Sequence, residues 1–121
     1  MIRRAEVIKY LTAGARAADA RQKAIAANLA NVETPAYRRQ DVKFEQALQK
    51  AIDSGRPLEF KAVQPELHRP KTTPVDADGN DVDLEIEVGA LMSNSGRYRT
   101  TLKLLNKMYA QMASAIDGQG K

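Results

Sequence analysis

The sequence predicts a mainly α protein. Two long terminal helices form an antiparallel coiled-coil pair, joined by an irregular, proline-containing middle with room for short β or extended segments. Three observations predict this. Apolar residues recur at alternating spacings of three and four at both ends of the chain, the pattern of a coiled-coil seam. Four of the five prolines, Pro57, Pro65, Pro70 and Pro74, fall between those ends. Proline removes a backbone donor and collides with the preceding turn, so no long helix runs there. Finally, 121 residues are one domain's worth of chain, too short for two independent cores.

The first helix is expected over residues 1–33. Its seam is Ile8, Leu11, Ala15, Ala18, Gln22, Ile25, Leu29 and Val32, with Gln22 the polar exception. On its back lies a second stripe of small residues: Ala13, Ala17, Ala20, Ala24 and Ala27. A back facing water ordinarily carries charge. Small side chains let a neighbour approach closely, so this stripe reads as a packing surface. The stretch "AANLANVETPAYRR", residues 26–39, ends the helix. Pro35 disfavours the helical conformation in the residue before it, and Asn28 and Asn31 can bond the free carbonyls of the last turn.

The middle, residues 34–83, carries weaker signals. Val42, Phe44, Leu48 and Ile52 suit a short helix over residues 41–53, and "PLEFKAV" (57–63) suits a strand or extended segment. "DADGNDVDLE" contains Asp-Gly and Gly-Asn turn signals. The last helix is expected over residues 84–117. Its seam is Leu84, Val88, Leu91, Ser95, Tyr98, Leu102, Leu105, Tyr109, Met112 and Ile116, with Ser95 the polar exception. Glu85 and Glu87 suit its start, and Asp117 and Gly118 its end. Gly89 and Gly96 lie one heptad apart beside the seam, where a neighbouring backbone can approach. Two paired helices bury only one face of the first, so the middle is expected to protrude and the alanine stripe to meet other chains.

The residue inventory excludes most chemistry. There is no cysteine and one histidine, His68, and no serine sits in a nucleophile elbow. No glycine-rich phosphate loop occurs, so no catalytic residue and no cofactor site is expected. Asp76, Asp78, Asn80 and Glu87 fall at positions 1, 3, 5 and 12 of a calcium loop. The glycine required at position 6 is Asp81, however, and no helix precedes the loop, so no metal site is expected. Net charge is +4. Residues 1–31 carry six basic and two acidic groups, residues 32–83 eight and ten, and residues 84–121 five and three. The basic groups are dispersed, without the stripe or stacking aromatics of a nucleic-acid binder. No segment has the ~20 apolar residues of a membrane span, and the start lacks the apolar run of a signal peptide.

One segment carries more information than its periodicity. "AANLANVETPAYRRQDVKFEQAL" closely resembles the N-terminal motif of bacterial flagellar rod and hook proteins, an Asn-Leu/Ile-Ala-Asn helix end followed by a Thr-Pro-Gly-Tyr turn. Asn28, Leu29, Ala30, Asn31, Thr34, Pro35 and Tyr37 match, and Ala36 replaces the usual glycine. "DGNDVDLEIE", then Asn94 ahead of Tyr98, then a heptad helix ending "ASAI", narrows the resemblance to the small proximal-rod members. It spans roughly Leu11 to Ile116.

The resemblance implies a structural role without catalysis, in the basal-body rod that crosses the periplasm. It implies export through the flagellar type III apparatus without a cleaved signal. It further implies assembly with other rod subunits, with the protein joining rod to MS ring, and with copies of itself, the terminal helices forming an inner tube. The residues expected at subunit interfaces are Ala13, Ala17, Ala20, Ala24, Ala27, Asn28, Asn31, Thr34, Pro35, Tyr37, Tyr98, Leu102, Leu105, Tyr109, Met112 and Ile116. Phe44 and Leu48 fit the family's export-gate motif, a phenylalanine four residues before an apolar residue. The other readings are a paralogous rod subunit, or a soluble coiled-coil module binding calcium or nucleic acid.

Overall fold

A computed structural model describes residues 4–55 and 63–119. The elements in order are α1 (Arg4–Ala30), β1 (Asp41–Lys43), α2 (Glu45–Asp53), β2 (Glu66–His68) and α3 (Leu84–Gln119). At 1.5 Å per residue, α1 is about 40 Å long and α3 about 54 Å. They pack side by side in opposite directions. Asn28 near the end of α1 meets Glu87 near the start of α3, and Gln22 meets Ser95 further along.

The two polar exceptions of the predicted seams find each other. The Gln22 amide donates to Ser95 Oγ at 3.0 Å. Asn94 donates to both Gln22 Oε1 and the Ala18 carbonyl at 2.8 Å. A slip of one helix along the other would strand the buried Asn94 amide at about 1–3 kcal/mol and break the half-buried Gln22–Ser95 bond, so the clasp fixes the register, as single polar seam residues do in coiled coils.

The face that α3 turns toward α1 differs from the predicted one. Leu91, Tyr98, Leu105 and Met112 do lie inward. The second inward column is Glu87, Asn94, Thr101 and Met108, and Leu84, Val88, Leu102, Tyr109 and Ile116 are left exposed. Apolarity alone favours the second set. The helix is turned the other way because Glu87 and Asn94 have partners on α1 and the chain behind it. Helix α3 also runs straight through Gly89 and Gly96, and a Cβ built at either meets no atom within 4 Å. Neither glycine admits a backbone from within the chain. Gly118 does not stop the helix, which continues to Gln119.

The described parts of the middle do not protrude. Val42, Phe44 and Val63 fold onto the alanine face of α1, burying Ala17 and Ala24, with Tyr10, Ala13, Ala20, Leu48 and Ala51 around them. A face of small residues accepts a bulky ring closely, and Phe44 is only 4% exposed there. Burial of one such side chain contributes about 1.5–3 kcal/mol. The helix expected over residues 41–53 is split. Asp41–Lys43 is extended and pairs antiparallel with Glu66–His68, Val42 opposite Leu67. Phe44 holds a non-helical backbone at the start of α2, where its carbonyl accepts from Leu48 N at 3.0 Å. Most of the expected strand at 57–63 lies outside the described residues; the strand observed follows it, at Glu66–His68.

Candidate assembly surface

Below Ala30 the chain makes a turn that organises the rest of the fold. Asn31 stays in its own helix end, its amide donating to the Ala27 carbonyl at 2.8 Å, and its Oδ1 accepts from Thr34 Oγ1 at 3.0 Å. Asn28 does something else. It is fully buried, and all of its side chain is used across the fold. Its amide donates to the Gln40 carbonyl (2.9 Å) and to Glu87 Oε2 (3.2 Å). Its oxygen accepts from Gln40 N (2.8 Å) and from the Tyr37 hydroxyl (3.1 Å). One asparagine thus joins α1, the returning chain and α3.

Around it the buried charges are paired. Arg39 Nε donates to Glu87 Oε1 at 2.7 Å, and Arg38 Nε to Asp81 Oδ2 at 3.0 Å. Burial of Arg39 by itself would lower its pKa. The hydrogen bond and charge of Glu87, with Asp41 and Asp81, outweigh that and hold the guanidinium above its ordinary value. The Asn80 amide donates to the Asn31 and Thr34 carbonyls at 2.9 and 2.8 Å, closing the turn from below. Asp76 Oδ1 accepts from the Asp78 and Asn80 amides. The residues that resembled a calcium loop are therefore the buttress of the Asn28–Tyr37 turn. Two turns earlier along α1, on the same side as Asn28, Arg21 pairs with Glu45. Burial pushes the Glu45 carboxyl up, but the hydrogen bonds it accepts and the charges of Arg21 and Arg97 bring it below the ordinary value.

Ala36 explains the glycine usual at its position in the motif. Its φ is +62°, in the left-handed region, which costs a residue with a Cβ about 1–2 kcal/mol. Gly79, at φ +80°, comes up against it: a Cβ on Gly79 would lie 3.5 Å from Ala36 Cα, and Ala36 N donates to the Asp78 carbonyl at 2.8 Å.

The residues expected at interfaces fall into three places. Ala17 and Ala24 are buried within the chain by the middle segment, with Ala13 and Ala20 packed beside them and Ala27 half-buried. Asn28, Asn31 and Tyr37 are engaged in the turn, while Thr34 and Pro35 are exposed at its tip. Leu105 is buried against α1, and Tyr98 and Met112 are half-buried. Leu102, Tyr109 and Ile116 face outward, Ile116 at 66% exposure. Together with Leu84 and Val88 they form an apolar stripe along the outer side of α3. Of the export-motif pair, Phe44 is in the core and Leu48 is half-buried beside it.

No part in holding the fold together was expected of Arg38, Arg39, Gln40, Asn80, Asp81, Glu87 or Asn94, although Asn80, Asp81 and Glu87 stand in the acidic turn and Asn94 in the quoted motif. The signal for four of them was present. Residues 76–87 hold six acidic groups and no basic one, and "RR" follows the turn directly. Two of those acids, Asp81 and Glu87, are buried and so require cationic partners. No helix among the described residues is long and apolar enough to cross a membrane.

Comparisons with known proteins find relatives for this helix end and turn and for most of the chain. The family described as flagella basal body rod protein matches residues 11–38, the second part of α1 and the buttressed turn. A flagellar basal body rod protein FlgB from Cereibacter sphaeroides is 33% identical, over 84% of this chain and 86% of its own length. Proteins of the same name from Aeromonas hydrophila and Escherichia coli K12 are each 28% identical, over 82% and 80% of this chain and 83% of their own lengths. With a relative 33% identical over most of both chains and the rod-family match lying on the helix end and turn, the chain belongs to the FlgB family of flagellar basal-body rod proteins.

Proposed function

We propose that the chain is a structural, non-enzymatic subunit of the proximal part of the flagellar basal-body rod. It polymerises with other axial proteins into the drive shaft and the wall of the export channel. The observation that carries this reading is the FlgB likeness across most of the chain, seated on a clamp that holds two long helices in one register. A shaft that transmits torque needs subunits that do not shear internally, and the Asn28 junction and Gln22–Ser95–Asn94 clasp supply that resistance.

The partners follow from the role: other rod subunits, the protein joining rod to MS ring, and further copies of this chain. The outward residues Leu102, Tyr109 and Ile116, with Thr34 and Pro35 at the turn, are the part of the expected interface accessible in the folded chain. Ala13, Ala17, Ala20 and Ala24 act through the middle segment packed on them, and Ala27 is half-buried beside the turn. The chain reaches the rod through the type III apparatus without a cleaved signal. Phe44 and Leu48 act as the gate motif only before folding, since Phe44 is buried afterwards.

Deletion of the gene in the source bacterium tests the role. Expected are non-motile cells without filaments or rods, restored by the wild-type gene. Normal swimming and intact rods in the deletion strain would overturn it.

A further inference from the structure

The outer side of α3 changes character along its length. Val88, Leu102, Tyr109 and Ile116 share one heptad-spaced column, Leu84 lies one turn before Val88, and all five are exposed. Glu85, Met92 and Arg99 follow one another at seven-residue spacing along one flank of that stripe, and Lys103 and Lys107 continue from Arg99 at intervals of four. On a helix these spacings keep residues on one side. At the start of the strip the charges are acidic: Asp83 and Glu85, with Asp76 and Asp78 in the turn before it, all exposed. From Val88 to Ile116 there is no acidic residue, and Arg97, Arg99, Lys103 and Lys107 are basic.

Neither set of charges is satisfied by the other within the chain. Among the described residues, Asp76, Asp78, Asp83 and Glu85 have no ion pair, nor have Arg99, Lys103 and Lys107. Glu85 and Lys107 lie twenty-two residues apart in sequence, about 33 Å along the helix. That is several times the ~8 Å screening length at physiological salt. The ends therefore cannot stabilise each other except in contact between molecules.

We propose that this strip is a docking surface for a second copy of the chain. The acidic, apolar start of α3 in one copy seats on the basic, apolar distal part of α3 in the next. Leu84 and Val88 of one copy meet the Leu102–Tyr109 stripe of the other, and Asp78 and Glu85 face Arg99, Lys103 and Lys107. Complementary ends favour this register and reject the alignment that would set like charges side by side. The contact joins unlike patches, so it repeats from copy to copy rather than closing; that open direction rests on the rod reading.

Sedimentation of the purified full chain tests this. In about 50 mM salt, species larger than a dimer are expected, growing with protein concentration. In about 500 mM salt they revert toward monomer. Asp78→Lys with Glu85→Lys, and separately Lys103→Glu with Lys107→Glu, weaken association at least about tenfold. An equimolar mixture of the two variants regains it as a mixed dimer or larger species. All four positions are exposed, and an unchanged thermal midpoint of each variant shows that its fold is kept. Monomer at every concentration, association indifferent to salt, a wild-type assembly that stops at a dimer, or a mixture that stays apart would each overturn the proposal. A monomer in solution together with the rodless deletion phenotype would sink this contact and leave the rod role standing. Salt-dependent stacking with a motile deletion strain would do the reverse.

Discussion

Replacing Asn28 with alanine removes the junction between α1, the returning chain and α3. Four hydrogen bonds go with it, to Gln40 O, Gln40 N, Tyr37 Oη and Glu87 Oε2. Each is worth about 0.5–1.5 kcal/mol net, and a buried group left without a partner costs about 1–3 kcal/mol. Glu87 keeps Arg39, so its carboxylate is not stranded. The Gln40 backbone groups and the Tyr37 hydroxyl do lose their partner, and the total comes to about 3–5 kcal/mol. That is a large share of the ~5–15 kcal/mol typical of a domain. At about 4 °C per kcal/mol for a chain of this size, the thermal midpoint falls by about 12–20 °C. Thermal unfolding followed by far-UV circular dichroism, paired with urea titration, measures it. Asn31→Ala is the control. Its bonds lie at the helix end and the exposed turn, and it costs about 1 kcal/mol. An Asn28→Ala variant within 1 kcal/mol of wild type, or one no worse than Asn31→Ala, would refute the claim that Asn28 holds the fold together.

Phe44→Ala empties the space between the alanine face of α1 and the middle segment and costs about 3–5 kcal/mol; urea unfolding checks it. Ala36→Gly relieves the left-handed backbone at φ +62° and raises stability by about 0.5–1 kcal/mol, less than the strain relieved because glycine frees the unfolded chain; a midpoint 2–4 °C higher is the expected reading. Glu45 has a folded-state pKa below its ordinary 4.5. Its contribution is therefore full above that value and is lost as pH falls through the lower folded one. Its ion pair is largely in solvent, so the effect is small: wild type and Glu45→Gln differ slightly at pH 7, and the difference shrinks as pH falls through the lowered folded value.

The sequence displayed the helices because their spacing repeats over five turns or more, and the seam of α1 was legible down to its polar exception. Helix α3 lies where the spacing predicts, with one column of its predicted seam inward (Leu91, Tyr98, Leu105, Met112) and the other displaced by Glu87, Asn94, Thr101 and Met108. Its apolar stripe is wider than one contact needs, and only the positions of Arg39, Asn28 and Gln22 in space decide that Glu87 and Asn94 turn inward. The alanine stripe was recognisable as a packing surface. What covers it was not, because Phe44 and Val63 reach it through an irregular segment with no periodicity. Likewise the acidic turn showed its local chemistry, whereas its task, gripping the turn after α1, depends on pairs more than forty residues apart, Arg38 with Asp81 and Arg39 with Glu87.

Mass spectrometry of detergent-resistant hook–basal bodies purified from the source cells tests the central claim most directly. This chain is expected among the rod components, retained after the filament and outer structures are stripped away. Intact basal bodies that lack it would contradict the assignment to the rod.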